Sequence, residues 1–383
     1  MKALSTMSAS GHEPDRHMTR RGLLTSSAGL AAAAILAGCT TPALAPPSAP
    51  EPTRRPATGG SNFVAADGHL WQPDGTEFVA IGANLGTTGS FDWKGSAKGH
   101  AADALDWGWN TVRLNLMVTG SYSWSYVAQN SLDALLELTS ALVSEYTKAG
   151  IVVVLDAHDN PLAKGLDRAK VESGMVTWWK EAAAAFKDNP RVWSGLMNEP
   201  AYANDDWVAV LDKLSSAVRG TGNASPILVG APCWGQDVGH TKPYFADVRY
   251  AHEPTMAPML NQRHGNVVLE QHNYGAYGRY STIEKFTAYI GAVRAAGLTP
   301  LVGEFGYTVE KGQSPDVYEF NREAAASVFE AVRALQVGAL WWHASHGDNY
   351  SLKADGSAFW NGGNSAGLSE GGRQLWDFTH GSR

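Results

Sequence analysis

The stretch VWSGLMNEP, residues 192–200, has the pattern of a buried strand that ends in polar side chains. Its first six residues are largely apolar, and Asn198 and Glu199 follow almost directly. Because a buried carboxylate is costly unless it is paired or used, a glutamate here implies that the strand end faces other polar groups. The partners of Glu199 must therefore come from other parts of the chain.

Seven further apolar runs have the length of strands, and most intervals between them carry helical patterns. These runs are 77–85, 110–116, 150–158, 226–232, 266–274, 300–306 and 337–345. Segment 131–150 repeats leucine at helical spacing and ends on glycine, and segments 205–220 and 319–338 resemble it. Nearly continuous apolar strands joined by helices indicate a parallel sheet buried on both faces, and eight such units predict an α/β fold of the (β/α)8 TIM-barrel type.

Two other features of the chain support this prediction. Segment 63–78 contains two Asp-Gly pairs and predicts a hairpin-like lead into the first barrel strand. A doubly wound fold usually has a glycine-rich phosphate loop after its first strand, whereas GANLGTTGS at 82–90 has glycines in the wrong pattern.

Segment 233–265 shows no clear helix and is expected to form one wall of a cleft.

The first sixty residues do not follow the strand and helix pattern. In TRRGLLTSSAGLAAAAILAGC, residues 19–39, paired arginines precede an apolar stretch too short to span a bilayer, which indicates an export signal. TRRGLL resembles a twin-arginine signal, and LAGC resembles a lipobox ending at Cys39. We expect a signal peptide over 1–38, a lipidated Cys39 and Pro-rich linker over 39–60, and a barrel over 61–383. We expect translation to start at Met1 or at Met18, which directly precedes TRR.

The composition argues against several functional classes. The formal net charge is −7 and acidic and basic residues are interleaved, so nucleic-acid binding is not expected. The two cysteines, Cys39 and Cys233, do not make a disulfide framework. The 14 tryptophans are more than such a core needs, and flat aromatic rings stack well on sugars, although core packing explains most of them. Those in predicted rim loops are sugar platforms or loop packing: Trp93, Trp124, Trp234 and Trp360.

Polar side chains recur at the C-terminal ends of six predicted strands. Residues two apart on a strand share a face, which places Glu304 with Val302. In a barrel these strand ends meet on one rim, where barrel active sites lie. Each residue alone has a structural explanation, but their recurrence indicates a site. The residues are Arg113, Asn115, Asp156, His158, Asn198, Glu199, Glu270, His272, Tyr274, Glu304, Trp341, Trp342 and His343.

Several chemistries compete for this rim. Serine catalysis is disfavoured because no G-x-S-x-G elbow occurs. A metal site could use His158, His272 and His343, but the chain has no helical pair of histidines at metal-ligand spacing. Glu199 and Glu304, on the fourth and seventh barrel strands, supply the carboxyl pair that glycoside hydrolysis requires. A metal-dependent barrel hydrolase and a non-hydrolytic sugar-binding lipoprotein on the same fold remain the alternatives.

Residues 62–380 resemble glycoside hydrolase family 5, of the clan of retaining barrel glycosidases that includes cellulases and β-mannanases. The resemblance lies in the 63–85 entry segment and in NTVRLNL, VVVLDAH, NEP, EQHNY, GEFG and a final Trp motif, all in the order of the family. It implies that Glu199 is the acid/base and that Glu304 is the nucleophile. It also implies that Arg113 and Tyr274 hold the Glu304 carboxylate and that His272 supports Glu199.

The resemblance further implies which residues bind substrate. Asn198 would hydrogen-bond the sugar 2-hydroxyl, an interaction that strengthens toward the transition state. His158 would line the site beside the bound sugar. Trp342 would form the floor under that sugar, with the adjacent Trp341 as the alternative.

The sequence therefore predicts a retaining endo-acting hydrolase of a β-1,4-linked glucan or mannan. Its chemistry requires no metal and no organic cofactor. We expect a monomer whose partner is a β-linked polysaccharide or oligosaccharide. We also expect export through the twin-arginine pathway and contact with the extracellular face of the membrane only through lipid on Cys39, or else secretion.

Overall fold

The computed structural model describes residues 60–86, 97–202, 204–232, 234–237, 257–274, 282–307, 315–345, 351–359 and 366–381. The predicted signal peptide and nearly all of the predicted linker, including Cys39, lie outside these ranges, as do Trp93, Cys233 and Trp360. Within the described ranges, no helix combines the length and the apolar character that crossing a membrane requires.

Strands and helices alternate along the described chain. The strands are β1 Val64–Ala66, β2 His69–Trp71, β3 Ile81–Leu85, β4 Thr111–Leu116, β5 Val152–Ala157, β6 Val192–Gly195, β7 Ile227–Gly230, β8 Val267–Asn273, β9 Thr299–Phe305 and β10 Gly338–Trp341. The helices are α1 Ala97–Asp106, α2 Tyr126–Gln129, α3 Leu132–Lys148, α4 Arg168–Phe186, α5 Asn204–Arg219, α6 Ala257–His264, α7 Ile283–Ala295, α8 Pro315–Leu335 and α9 Glu370–His380. Strands β3 to β10 pair in parallel and close into a barrel in which β10 lies beside β3, so the predicted (β/α)8 fold is confirmed.

The hairpin β1–β2 closes the N-terminal end of the barrel. Its turn has positive φ angles at Asp67 (56°) and Gly68 (80°), as a two-residue hairpin turn requires. Phe63 packs edge-on against Phe78 and against Trp193, with ring centroids 5.0 and 5.3 Å apart. These rings belong to the apolar cluster that fills the barrel interior. Water is thereby excluded from this end, and the opposite rim is left for polar groups.

Alternation along β5 shows how the barrel changes from core to site. Val152 and Val154 belong to the interior cluster, whereas Val153 and Leu155 belong to the layer between strands and helices. Residues two apart share a face, so Asp156 continues the interior row toward the rim. The interior is therefore apolar at its base and polar at the C-terminal end of the strands, as the sequence predicts.

Strand β9 breaks this alternation by a β-bulge. The consecutive β8 residues Gln271 and His272 pair with Val302 and Glu304 of β9. Gly303, between these two partners, is therefore an extra residue in β9. The pairing of β9 with β10 shifts in the same place. Val302 packs in the outer layer, and the extra residue turns Glu304 inward to the rim. The prediction that Val302 and Glu304 share a face is wrong for this reason.

Two element boundaries also differ from the predictions. Strand β6 ends at Gly195, so Asn198 and Glu199 follow the strand in irregular backbone rather than forming its end. Helix α6, Ala257–His264, lies within the segment predicted to have no clear helix. Its mixed composition, APMLNQRH, gives little helical periodicity and explains the error. The suggested cleft wall falls largely on residues 238–256, outside the described part of the chain.

Candidate active site

Arg113, on the inner face of β4, is a fully buried cation at the centre of the rim. Its Nη2 lies 3.0 Å from Asp156, its Nε 2.7 Å from Glu270, and its Nη1 3.0 Å from Glu304. Burial alone would lower the pKa of Arg113, but these three carboxylates outweigh burial and raise that pKa above its ordinary value. The guanidinium therefore stays charged and holds together acidic groups from β5, β8 and β9.

Two amide oxygens complete the surroundings of this guanidinium. Asn84 Oδ1 accepts from Arg113 Nη1 at 2.8 Å, and Asn198 Oδ1 accepts from Nη2 at 3.0 Å. Asn84 also donates to the carbonyl oxygen of Gly303 at 2.8 Å and so ties β3 to the bulge in β9. Asn84 is not among the predicted site residues, although it lies near the C-terminal end of the first barrel strand and so follows the pattern of the others.

His158 and Trp342 present an open aromatic surface at the rim. The rings stack with centroids 5.5 Å apart and planes 8° apart, and both side chains are partly exposed. Asp156 Oδ2 lies 2.7 Å from His158 Nδ1. Burial would lower the pKa of His158, but the hydrogen bond and the charge of Asp156 raise it overall. Asp156 therefore orients the imidazole while its other oxygen binds Arg113.

Trp341 cannot form this surface. It is 1% exposed and packs edge-on against Phe305, with ring centroids 5.3 Å apart, in the layer between the barrel and its helices. Leu340, one residue earlier, belongs to the barrel interior, so Trp342 shares the inward face. Trp341 is therefore not a substrate-binding residue, and this part of the prediction is wrong.

His272 lies between the two candidate catalytic carboxyl groups. Its Nδ1 is 3.0 Å from Glu199 Oε1 and 3.4 Å from Glu304 Oε2. Burial would lower the pKa of His272, but the charge of Glu304 and the hydrogen bond to Glu199 raise it to about 10. At neutral pH both ring nitrogens therefore carry a proton, and the positive charge of the ring reduces the repulsion between the two carboxylates.

The separation of Glu199 and Glu304 is the most informative distance in the site. One oxygen of each carboxyl group lies within 4.8 Å of the other. Retaining glycosidases hold their two carboxyl groups about 5 Å apart, whereas inverting enzymes need about 6.5–9.5 Å to admit a water molecule. The spacing therefore has the geometry of direct nucleophilic attack.

The two glutamates differ in their surroundings, as an acid/base and a nucleophile must. The Glu199 side chain is 26% exposed, and the Glu304 side chain is 4% exposed. Glu199 lies in a left-handed conformation, with φ at 43°, which is uncommon for a non-glycine residue and is found at functional sites. The neighbouring N–H of Asn198 donates to the carbonyl of Ala157 at 2.9 Å and fixes this backbone beside β5.

Both oxygens of Glu304 are held in place. Oε1 lies 3.0 Å from Arg113, and Oε2 accepts a hydrogen bond from the Tyr274 hydroxyl at 3.0 Å. Burial raises the pKa of Glu304 above its ordinary value, and the positive charges of His272 and Arg113 oppose this increase. The structure thus aims the carboxylate and supplies the charges that favour its ionised form.

Two glycines leave room for these side chains. A Cβ atom on Gly303 would lie 2.0 Å from Glu270 Oε1, the oxygen that pairs with Arg113. A Cβ atom on Gly235, whose φ is 69°, would lie 2.7 Å from the ring of His272. The glycine before Glu304 and the loop after β7 are therefore part of the site.

Glu199, His272 and Glu304 are also a group that could hold a metal ion. Two carboxylate oxygens and one imidazole nitrogen are donors that several divalent metals accept. Arg113, however, already places a positive charge 3.0 Å from Glu304, which opposes a second cation there. Among the described residues, this is the one group of three or more potential metal ligands whose donor atoms lie close together. Of the three histidines considered as metal ligands, it contains His272 but neither His158 nor His343.

The predicted rim tryptophans have different surroundings. Trp124 is 47% exposed and lies with its ring centroid 5.2 Å from that of Tyr122. Trp234 is partly buried in the loop after β7 and has a positive φ of 60°. The other two, Trp93 and Trp360, fall outside the described residues.

The sequence profile described as Cellulase (glycosyl hydrolase family 5) matches residues 71–348, which include every one of the polar rim residues. The chain belongs to glycosyl hydrolase family 5. This membership agrees with the resemblance found in the sequence and with a barrel in which one close carboxyl group follows the fourth barrel strand and the other lies at the end of the seventh.

Two relatives illustrate the proteins to which the chain is similar. The mannan endo-1,4-beta-mannosidase of Streptomyces lividans is 29% identical over 305 residues, which cover 78% of this chain and 69% of that protein. The beta-mannanase/endoglucanase A of Caldicellulosiruptor saccharolyticus is 27% identical over 249 residues, which cover 63% of this chain but 17% of that protein. The chain thus corresponds to a small part of the second relative.

Solved structures share the same barrel. The catalytic domain of a mannanase from Streptomyces sp. SirexAA-E aligns with a TM-score of 0.63 and 24% identity, covering 84% of this chain and 93% of that one. A β-mannanase from Streptomyces thermolilacinus, determined with mannohexaose, aligns with a TM-score of 0.64 and 21% identity, covering 84% and 95%. At these identities the similarity concerns the fold.

Proposed function

We propose that this family 5 glycosyl hydrolase cleaves β-1,4-linked mannan or glucan by double displacement, with Glu304 as nucleophile and Glu199 as acid/base. The observation that carries the proposal is the short distance, within 4.8 Å, between oxygens of these two side chains on one barrel rim. Their different exposure supports the assignment of roles, because the acid/base must exchange protons with water and the nucleophile must stay aimed.

The first step forms a covalent intermediate. A Glu304 oxygen bonds to the anomeric carbon while the bond from that carbon to the glycosidic oxygen breaks, and Glu199 gives its proton to the departing oxygen. The protonated ring of His272, 3.0 Å from Glu199, stabilises the carboxylate that results. Arg113 and Tyr274 keep the Glu304 carboxylate in position before the attack.

The second step releases the sugar. Glu199 takes a proton from a water molecule whose oxygen bonds to the anomeric carbon, and the bond from that carbon to Glu304 breaks. Each displacement inverts the configuration of the same carbon, so the two together give a product with the configuration of the substrate. Each carboxyl group returns to its starting protonation state.

Three further side chains bind the sugar in this proposal. Asn198, fixed by Arg113, offers its amide to the sugar 2-hydroxyl. Trp342 supplies the flat apolar floor under the ring. His158, which stacks on Trp342 and is oriented by Asp156, lines the site beside it.

The substrate class follows from the relatives, whose names include mannan endo-1,4-beta-mannosidase and beta-mannanase/endoglucanase. The two sugars differ at one hydroxyl group, so hydrolysis rates on a matched panel of β-mannans and β-glucans separate the two possibilities. We infer endo action, which predicts that mixed oligosaccharides rather than a single small product appear first.

Product stereochemistry tests the mechanism. NMR of early products should show a retained anomeric configuration. Glu304→Ala should abolish turnover, and azide should enter the space left and yield an inverted glycosyl azide. Glu199→Ala should still react with substrates that have good leaving groups, and azide should then yield the retained product. An inverting wild-type enzyme, or the two azide products exchanged between the variants, would contradict the assignment of roles.

We also propose that the enzyme is exported through the twin-arginine pathway and anchored outside the cell by lipid on Cys39, as a monomer on a Pro-rich linker. The support is the sequence at 19–60, with paired arginines, an apolar stretch, LAGC and the proline-rich segment. Cys39→Ser should move the active enzyme from the membrane to the soluble fraction. Persistence in the membrane fraction would place the anchor elsewhere, and light scattering of the soluble variant tests the monomer.

A further inference from the structure

Loop 117–131, which joins β4 to α3 on the catalytic rim, carries an exposed aromatic pair that the proposed mechanism does not use. Trp124 is 47% exposed, and Tyr122 is partly exposed, with the two ring centroids 5.2 Å apart. The other large apolar side chains that stand out to a similar extent in the described ranges are Leu105 and Leu162. A single exposed apolar side chain is normal, but two neighbouring rings on the catalytic rim form an apolar patch of the kind that binds ligands.

The backbone under this pair is firmly held. Asp159 accepts hydrogen bonds from the backbone N–H groups of Val118 and Thr119, at 2.6 and 3.2 Å, and from the Thr119 hydroxyl. Ser125 donates to the carbonyl of Thr119 at 3.0 Å and caps α2 by accepting from an N–H group. Such a loop presents its rings in a fixed position, which lowers the entropic cost of binding.

The pair is connected to the active site through the neighbouring loop. The Tyr122 hydroxyl donates to the carbonyl of Asn160 at 3.4 Å. Asn160 lies two residues after His158, so their Cα atoms are at most about 7.6 Å apart. His158 in turn stacks on Trp342, so the hydrogen bond from Tyr122 ties the aromatic pair to the loop that carries a residue of the proposed sugar site.

We propose that Tyr122 and Trp124 form a separate sugar-binding surface beside the cleft, which takes a unit of the β-linked chain beyond the units bound at the two glutamates. This inference rests on the proposed function. A sugar ring offers an apolar face of C–H groups to the indole. Its hydroxyl groups lie at the edge of the aromatic rings, where they can hydrogen-bond to water and to carbonyl groups. A long substrate would engage the surface, whereas a short one would leave it empty.

The test compares substrates of different length in three variants. Trp124→Ala removes the surface, Trp124→Phe keeps a smaller ring, and Leu105→Ala is the matched control. Leu105 is 50% exposed, but it lies at the end of α1, just before the start of β4 and hence at the opposite rim. For each protein, kcat/KM is measured on mannohexaose or its glucan counterpart and on an aryl β-disaccharide with a good leaving group.

In Trp124→Ala the ratio of kcat/KM on the long substrate to that on the short one should fall about tenfold, because half-burying an indole contributes about that factor. In Trp124→Phe this ratio should fall less, and in Leu105→Ala it should stay at the wild-type value. A Trp124→Ala ratio within about twofold of the Leu105→Ala ratio would overturn the proposal. Melting temperatures of the variants exclude misfolding as the cause.

The proposed function and the proposed sugar-binding surface can fail independently of each other. Failure of the wild-type enzyme to cleave any β-mannan or β-glucan would refute the hydrolase, whatever the variants do. The surface is then tested by affinity electrophoresis in gels containing each polysaccharide. Retardation that Leu105→Ala retains and Trp124→Ala loses would support the surface, and equal or absent retardation of the two would overturn it.

Discussion

Replacing Arg113 with methionine should destabilise the barrel strongly, because three buried carboxylates would lose their shared cation. These are Asp156, Glu270 and Glu304, at 3.0, 2.7 and 3.0 Å. Removing one partner of a buried ion pair costs about 3–5 kcal/mol, and each remaining carboxylate adds to the penalty. For a domain of this size that cost corresponds to a fall of roughly 10 °C in melting temperature.

Arg168 provides a matched control, because it also forms two close ion pairs but does so at the surface. It lies 2.7 Å from Glu172 and 2.8 Å from Asp206, and its side chain is 42% exposed. Exposed ion pairs contribute about 1 kcal/mol or less. Arg168→Met should therefore lower the melting temperature by only a few degrees. Circular dichroism at one scan rate measures both variants beside the wild-type protein.

The pH dependence of the Arg113 effect has a definite sign. Burial raises the pKa of Asp156, but Arg113 and His158 lower it overall, so in the wild-type protein Asp156 contributes stability above its unfolded pKa and loses it as the pH falls. Without Arg113, burial dominates and the carboxylates destabilise the fold when ionised. The difference between wild type and Arg113→Met should therefore be largest near pH 8 and should narrow toward pH 5.

Two results would refute this reasoning. A melting temperature of Arg113→Met within about 2 °C of the wild type at pH 8 would show that the carboxylates need no shared cation. An equal difference at pH 5 and pH 8 would show that the loss comes from packing rather than charge, because only ionised carboxylates need the cation.

Three further predictions concern the chemistry of the site. Gly303→Ala should reduce kcat about tenfold or more, because its Cβ would lie 2.0 Å from the Glu270 oxygen, whereas Gly291→Ala, on an exposed helix face with no atom within 4 Å, should keep wild-type kinetics. His272→Gln should move the acidic limb of the profile of kcat/KM against pH to higher pH, since the charge on His272 lowers the pKa of Glu304 and activity is lost as Glu304 takes a proton; an unmoved limb would exclude this coupling. Activity should survive exhaustive chelation, because two carboxyl groups perform the chemistry, and complete loss that one added metal restores would overturn this expectation.

The sequence predicted the barrel because each strand repeats one physical pattern. The interior row of β5 starts with Val152 and Val154 and reaches Asp156 at the rim. Helix α3 begins after Ser131, which caps it by accepting from an N–H group at 3.1 Å, and ends before Gly150, whose φ is 85°. Caps, turns and periodicity are local, so they can be recognised without the rest of the fold.

The errors arise where contacts from distant segments decide the outcome. Trp341 and Trp342 are adjacent and chemically identical, and only the inward position of Leu340 shows which of them faces the rim. Asn84 could not be ranked as part of the site, because its importance comes from Arg113 and from Gly303, which lie far away in the chain. Alternation along β10 and β3 identifies both residues only once the fold shows which core residues face inward.

The two catalytic candidates lie where the backbone departs from regular strand geometry, and this placement has a physical reason. In a regular barrel, residues two apart share a face, so an interior carboxyl group points across the barrel at the level that its register dictates. The bulge at Gly303 turns Glu304 inward one position later than alternation allows. The left-handed backbone at Glu199, after the end of β6, brings its carboxyl group to within 4.8 Å of Glu304. Both departures cost conformational energy, and both are held by contacts of the site itself, since Asn84 binds the bulge and His272 binds Glu199. A sequence analysis that relies on regular periods will therefore misplace the residues whose chemistry requires the irregular backbone.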